Sequence, residues 1–354
     1  MKKIRLKICD KNLGQKFSYG TFFLNLLKKY YEVELTEKPD FVIYNESTFE
    51  YLKYGQDPVR LLFIGENVSP DFNLCDYAIG FDYLTFQDRF YRMPLYLIAQ
   101  FYSDAEIELA GGMDFTFQKP FLKEELAKKT GFCSFVYSNY LAGGQREEIF
   151  YKLSEYKKVD AGGGYLNNVG GKIKNKLAFE MQHKFSIAFE NSSRSGYTTE
   201  KLVNAFSART IPIYWGNPDV GLEFNEKRFI NCHSYKNFGE VVARVKEIDQ
   251  NDELYLKIIN EPVAASGMEF KVLEAGLEKF LCHIFDQSPE QAKRRTINAA
   301  RATNLERQEK LIAKYMARNL LIRKALAFFY KPFKKVVFME NLKQRIFAKN
   351  IYKK

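Results

Sequence analysis

The chain has 354 residues, of which 46% are hydrophobic and 27% charged, with 54 Lys and Arg against 43 Asp and Glu. That is enough length and apolar content for two ordinary domains with their own cores, and it excludes a disordered chain. No apolar run is long enough to span a bilayer, and Asp10 and Lys11 stand where a signal peptide needs its apolar segment, so the expectation is neither a transmembrane nor a secreted protein. The five cysteines, Cys9, Cys75, Cys133, Cys232 and Cys282, are odd in number and contain no C-x-x-C, which suits free thiols in a reducing cytosol. Neither they nor His183, His233 and His283 have metal-ligand spacing, so no metal site is expected from them.

The formal net charge of +11 is unevenly distributed. Residues 291–354 hold 18 Lys and Arg against 3 acids, leaving 36 basic and 40 acidic side chains in the rest of the chain. All the excess positive charge therefore lies in a C-terminal appendage, which moves any electrostatic partner there.

Residues 1–125 read as an α/β domain. IRLKIC is a short alternating run, FFLNLLKKYYEVEL passes from helical spacing into a strand, and FVIYN, RLLFIGEN and DYAIGFD are β-rich segments bounded by turn residues. No G-x-G-x-x-G follows the first strand, so this is not a dinucleotide-binding Rossmann domain. The polar, lysine-rich stretch 118–131 with Pro120 reads as a linker. A second α/β domain over 126–290 follows: strands at GFCSFVYSN, KFSIAFEN, TIPIYWGNP and RFINCHSY, helices at QREEIFYKLSEYK and TTEKLVNAFSA, then helical sequence from about Phe238 to Phe285. Two such domains place a ligand cleft between them, at the carboxyl ends of their strands.

In the tail, 291–354, Leu311, Ile312, Tyr315, Met316, Leu320, Ile322, Leu326 and Phe329 gather on one side at helical spacing, with Lys310, Lys314, Arg318 and Lys324 largely opposite and Arg323 interrupting the stripe. Pro332 ends or kinks this helix, and a second basic-aromatic stretch runs from Phe333 to Lys354. A basic amphipathic helix suits an anionic membrane surface, where each basic residue contributes about 1 kcal/mol. Packing back on the body, self-association and nucleic-acid binding are the competing uses.

The most informative stretch runs from Phe189 through Glu190, Asn191, Arg194 and Tyr197 to Lys201. A strand ends at Asn191, a loop of small polar residues follows, and Thr198 or Thr199 can cap a helix that begins near Glu200. The positive end of that helix binds phosphate, Lys201 adds a full charge, and Glu200 suits hydrogen bonds from ribose hydroxyls. Taken alone, the pattern reads as an ordinary capped helix. The glycines at 162–164 and 170–171 lack phosphate-loop spacing and read as tight turns, and Trp215, the only tryptophan, reads as core.

This stretch, with Thr210-Ile-Pro-Ile-Tyr-Trp-Gly216 downstream, resembles the donor-binding core of the α-1,3-fucosyltransferases of glycosyltransferase family 10, especially the soluble bacterial ones. Residues 61–96 resemble the acceptor-side segment of that family, and GFCSFVYSN with Arg146 resembles the start of its donor domain. The likeness covers segments from about 61 to 260, in the family's order.

The resemblance implies a GT-B fold of two facing Rossmann-like α/β domains plus the basic tail. It implies inverting transfer of L-fucose from GDP-β-L-fucose to the 3-hydroxyl of GlcNAc or Glc in an oligosaccharide acceptor such as N-acetyllactosamine. Glu66 matches the general base, Arg146 and Lys201 the pyrophosphate-binding cations, Glu200 the ribose contact, and Asn191 and Tyr197 other donor contacts. One carboxylate suffices for an inverting displacement, and the two cations with the helix N-terminus can neutralise the leaving diphosphate, so no cofactor or divalent metal is expected. The chain is expected to be cytoplasmic and peripheral on the inner face of a membrane, held there by its tail, with no nucleic-acid partner. No acidic-leucine-arginine heptads, the dimerisation device of the best-known bacterial relatives, precede the basic C-terminus. A transferase for another GDP-deoxysugar, and a non-catalytic nucleic-acid-binding protein acting through the tail, are the alternatives.

Overall fold

The computed structural model describes residues 1–15, 18–97, 119–139, 142, 144–296 and 300–330. The chain divides into two compact units, Met1–Arg295 and Thr296–Lys354.

The first unit is built on two sheets in which every strand pair is parallel. Six strands, β1 (Lys2–Ile8), β2 (Tyr31–Leu35), β3 (Phe41–Asn45), β4 (Val59–Phe63), β5 (Tyr77–Gly80) and β6 (Phe90–Arg92), form the first sheet in the order β2-β1-β3-β4-β5-β6. Parallel strands are covered on both faces, which explains why β3, and β4 apart from Arg60, read as apolar runs rather than alternating ones. Arg60 in the middle of β4 is buried, and it is tolerated because its guanidinium donates to Gly55 O at 2.5 Å and Leu74 O at 3.2 Å.

Helix α1 (Tyr19–Leu27) starts where Ser18 accepts a hydrogen bond from the Thr21 amide, and it buries Phe23, Leu24, Leu26 and Leu27. The sequence showed the strands of this half apart from the short β6.

The second sheet has the order β11-β10-β9-β7-β8, from β7 (Gly131–Phe135), β8 (Val159–Ala161), β9 (His183–Phe189), β10 (Ile211–Trp215) and β11 (Ile230–Asn231). Its helices are α2 (Lys123–Ala127), α3 (Gln145–Ser154), α4 (Lys176–Met181), α5 (Glu200–Ser207), α6 (Phe238–Asp249) and α7 (Asp252–Ile259). The segment read as a plain linker is more than that over its described part. Phe121 and Leu126 are buried, the Phe121 amide donates to Asn260 Oδ1 at 2.6 Å, and α2 forms just after Phe121 and contains Leu126. Two apolar anchors among the lysines pin the segment down.

The chain then returns to the first sheet. In α8 (Phe270–Phe285), Leu273 O accepts from the Tyr91 hydroxyl at 2.6 Å, and Lys2 Nζ donates to Phe285 O at 2.9 Å. Helix α9 (Pro289–Ala292) follows, and Asp76 accepts the Arg294 and Arg295 amides at 2.8 Å and the buried Arg295 guanidinium. One apolar cluster runs from Ile4, Leu6 and Phe63 through Leu277 and Leu281 of α8 to Leu202, Val203 and Phe206 of α5, so the two halves share a core. The cysteines are unpaired, four of them buried.

The second unit is described as one helix, α10 (Ala300–Tyr330), which reaches to two residues short of Pro332. Its side chains at Leu311, Ile312, Tyr315, Met316, Leu320, Leu321 and Ile322 are exposed. The stretch from Phe333 to Lys354 lies outside the described residues, as do the side chains of Leu326 and Phe329. Among the described residues, no helix is long and apolar enough to cross a membrane.

Candidate active site

Within each sheet every strand points its carboxyl end the same way, so the loops that leave those ends gather the polar residues. Beyond β4 the chain turns through Gly65, Glu66 and Asn67, and Glu66 is exposed. Beyond β9 it continues through Glu190 and Asn191 into the loop that ends at α5. These two loops touch. Asn67 donates its side-chain amide to Ser192 Oγ, and Arg194 Nη1 donates to Asn67 Oδ1 at 3.2 Å. Tyr197 is buried with its ring 4.9 Å from that of Phe81, and Gly196 lies so close that a Cβ there would sit 2.6 Å from Phe81 O. Gly196 has φ +77°, so a side chain would be excluded both by conformation and by the neighbouring backbone.

Six residues were singled out from the sequence, and five of them share the second sheet's carboxyl edge. Arg146, near the start of α3, is 2% exposed. Its guanidinium donates to Phe189 O at 2.8 Å and to Asn191 Oδ1 at 2.9 Å, and it lies 4.1 Å from the Tyr137 ring centroid. Its buried Nε has no hydrogen-bond partner among the described residues. Tyr137 in turn donates to Ile187 O at 2.8 Å and accepts the Phe189 amide at 2.7 Å, which knits β7 to β9 beneath the arginine.

Lys201 sits on a carboxylate that sequence reasoning passed over. Glu190 is fully buried and accepts from Lys201 Nζ at 3.1 Å, from the Thr199 amide at 2.8 Å and from Thr199 Oγ1 at 2.7 Å. Lys201 also donates to Thr199 Oγ1 at 2.8 Å and pairs with Glu200 at 3.4 Å. Burial opposes its charge, but the Glu190 and Glu200 carboxylates outweigh burial and hold the ammonium well above the usual lysine range. Glu200 is likewise disfavoured by burial, yet Lys201 and Lys176 bring its carboxyl below the ordinary value.

Thr199 is the N-cap residue of α5, as expected, but its hydroxyl makes no capping bond. It is spent on Glu190, which also takes the Thr199 amide. The buried carboxylate takes over the anchoring role at this helix start.

Glu66 stands apart from the other five on the first sheet's edge, near Tyr197. Burial pushes the Tyr197 hydroxyl's pKa up, and the Glu190 and Glu66 carboxylates add to the rise. Beneath Glu66, the half-buried Glu46 accepts the Gly65 amide at 3.0 Å, and burial holds its carboxyl above the ordinary 4.5.

Asn217 was also missed. It is buried and accepts from the Gly196 amide at 2.8 Å and the Asp219 amide at 2.9 Å, while its own amide group donates to Thr198 Oγ1 at 3.1 Å. Only pairing in space could reveal it, since N-P after a strand reads as a turn. Trp215, read as core, is half-buried at the end of β10, with its ring stacked on His233 at 6.1 Å. Gly163 packs directly on the Tyr137 backbone and leaves no room for a Cβ, while Gly170 and Gly171 have φ +84° and +152°. Among the described residues, no group of three or more His, Cys, Asp or Glu side chains is placed to hold a metal ion.

Two parallel α/β halves with a polar loop cluster where their carboxyl-end loops meet define a two-halved α/β class of protein with a ligand site between the halves. Comparison with known proteins narrows the class. Residues 11–99 match the model of the alpha-(1,3)-fucosyltransferase FucT N-terminal domain, and residues 126–300 match that of glycosyltransferase family 10 (fucosyltransferase), C-terminal part. The chain is 38% identical over 263 residues to the alpha-(1,3)-fucosyltransferase FucT of Helicobacter pylori, across 67% of this chain and 55% of that protein. It is 31% identical over 163 residues to human 4-galactosyl-N-acetylglucosaminide 3-alpha-L-fucosyltransferase 9, across 44% of each.

A crystal structure of an alpha1,3-fucosyltransferase with GDP-fucose superposes with a TM-score of 0.62 at 30% identity, covering 79% of this chain and 91% of that one. A structure with GDP gives 0.63 at 31% identity, covering 79% and 90%. The chain belongs to glycosyltransferase family 10 and has the GT-B architecture of two facing α/β halves. It spans about half the length of the curated relatives it matches.

Proposed function

We propose that the protein is an inverting α-1,3-fucosyltransferase that moves L-fucose from GDP-β-L-fucose to the 3-hydroxyl of a GlcNAc or Glc residue in an oligosaccharide. The observation that carries the reading is the meeting of the Glu66 loop with the Asn191–Lys201 loop at the carboxyl edge of both sheets. The relatives' solved complexes with GDP-fucose and GDP support the donor class.

In this reading Glu66 takes the proton of the acceptor hydroxyl as its oxygen attacks the anomeric carbon. The bond from that carbon to the β-phosphate oxygen breaks, and the electron pair leaves with GDP. An exposed carboxylate on a loop just beyond an apolar strand suits this role, because it can reach a bound sugar hydroxyl. Arg146, whose Nε has no hydrogen-bond partner among the described residues, and Lys201, held protonated by Glu190, balance the charge gained by the diphosphate. Glu200 accepts from ribose hydroxyls, and Asn191 and Tyr197 shape the donor pocket. The cations and the α5 N-terminus, rather than a divalent ion, carry the leaving-group charge, so EDTA should leave turnover unchanged. Recovery of a lost activity by Mg²⁺ or Mn²⁺ would overturn that point.

The basic tail, residues 291–354, docks the enzyme on an anionic membrane surface facing the cytoplasm, near a lipid-linked acceptor. The exposed apolar side chains of α10 beside its lysines and arginines support this. Titration calorimetry with GDP, GDP-fucose, GDP-mannose and UDP tests the donor site. Binding of the GDP ligands but not UDP, weakened in Lys201→Ala, is expected; no GDP binding by folded protein would refute the assignment.

A further inference from the structure

Arg194 belongs to the loop beyond β9, yet most of its partners belong to the first half of the chain. Its Nη1 donates to Asn67 Oδ1 at 3.2 Å, its Nη2 to Asp82 Oδ1 at 2.5 Å and to Ser69 Oγ, and its guanidinium lies 5.0 Å from the Phe81 ring centroid. Asn67 and Ser69 follow Glu66 directly in the loop beyond β4, and Asp82 follows β5, the strand beside β4. Asp82 is mostly shielded from water, with 14% of its side chain exposed against 30% for Arg194, so the pair is less screened than a surface ion pair. One planar fork thus ties three separate positions on the acceptor-side edge to the donor-side loop, a geometry a point-charge ammonium cannot reproduce.

We propose that Arg194 is a positioning residue that fixes the Glu66 loop against the donor loop, so that the base faces the anomeric carbon at the separation transfer requires. The role rests on the reading of Glu66 as base and of the Asn191–Lys201 loop as donor site. Arg194 itself touches neither reacting atom. A clamp of this kind acts on the geometry of attack and leaves the nucleotide's own contacts intact.

The test uses the full chain with Arg194→Ala, Arg194→Lys and Asp82→Asn. Arg194→Ala should lower kcat by about a hundredfold, the scale of a 1 Å misplacement, while the Kd for GDP stays within about twofold. Arg194→Lys should recover only part of the loss, and Asp82→Asn, which removes one carboxylate and keeps its shape, should show the same split between kcat and Kd. Unchanged kcat in both Arg194→Ala and Asp82→Asn would overturn the proposal. So would a GDP affinity that falls as far as kcat, which would make Arg194 a donor ligand.

Hydrogen exchange over residues 64–69 reads the clamp without activity. Faster exchange in Arg194→Ala supports it, and unchanged exchange refutes it. Absence of GDP binding in the wild-type protein would instead refute the donor reading, and the exchange result would still decide the clamp.

Discussion

At the scale of single residues, the site is organised by side chains that hold other side chains in place. Glu190 is the clearest case, with three hydrogen bonds holding Thr199 and Lys201 around one buried carboxylate. Glu190→Gln should lower GDP affinity about tenfold or more, because the amide loses the charge that holds the ammonium in place; calorimetry against Lys201→Ala gives the comparison. Gly216→Ala should have a related effect, since a Cβ there would meet Glu190 Cγ at 2.4 Å and push the carboxylate aside. Glu66→Gln tests a different role. It should abolish transfer with little change in GDP binding, and a Glu66→Gln enzyme of full activity would remove this residue as the base.

These residues were unevenly legible. Lys201, Glu200 and Arg146 carry charges in a recognisable order, whereas Glu190, Asn217 and Arg194 acquire their roles from partners that are distant or unremarkable in sequence.

At the scale of elements, the return of the chain to the first sheet depends on a few polar anchors. Asp76 and Arg295 form an almost fully buried pair, and Asp76 also accepts the Arg60, Arg294 and Arg295 amides at 2.8 Å. Removing one partner strands the other in an apolar setting, so Asp76→Ala should cost about 3–5 kcal/mol, read from the urea midpoint. A weaker anchor lies nearby. The Arg294 guanidinium, aided by His283 and against the pull of burial, lowers the Asp88 carboxyl from its ordinary 3.8 to about 2.

A carboxyl lowered on folding contributes stability that is present above its unfolded value and lost as pH falls through the folded one. The protein should therefore lose this contribution as pH drops from near 4 towards 2, and Asp88→Asn should flatten that part of the Tm profile. Apart from the short α2 and α4, which the sequence reading did not name, the longer strands and helices were legible because fully covered parallel strands give continuous apolar runs and the helices keep helical spacing. The three-residue strands β6 and β8 were not, being too short to show a period.

At the scale of the whole molecule, Met1–Arg295 is one compact unit because α5 and α8 bring apolar faces into a cluster that includes the first sheet. Trp215, on the second sheet, is the chain's only tryptophan and reports on that half. Asp76→Ala lies in the first half, yet the shared core should make it shift the Trp215 fluorescence midpoint as far as it shifts the circular dichroism midpoint. Two separate transitions would show that the halves unfold independently.

By itself the sequence determined the parallel α/β character of both halves, the basic C-terminal stretch and the family, because these rest on local periodicity, charge counts and ordered motifs. Only the tertiary structure decided that Glu190 sits under Lys201, that α8 covers the first sheet, and that Arg194 joins the loop of Glu66 to the loop of Tyr197. Those depend on which strand ends lie side by side, and strand order is a long-range property that no stretch of sequence carries alone.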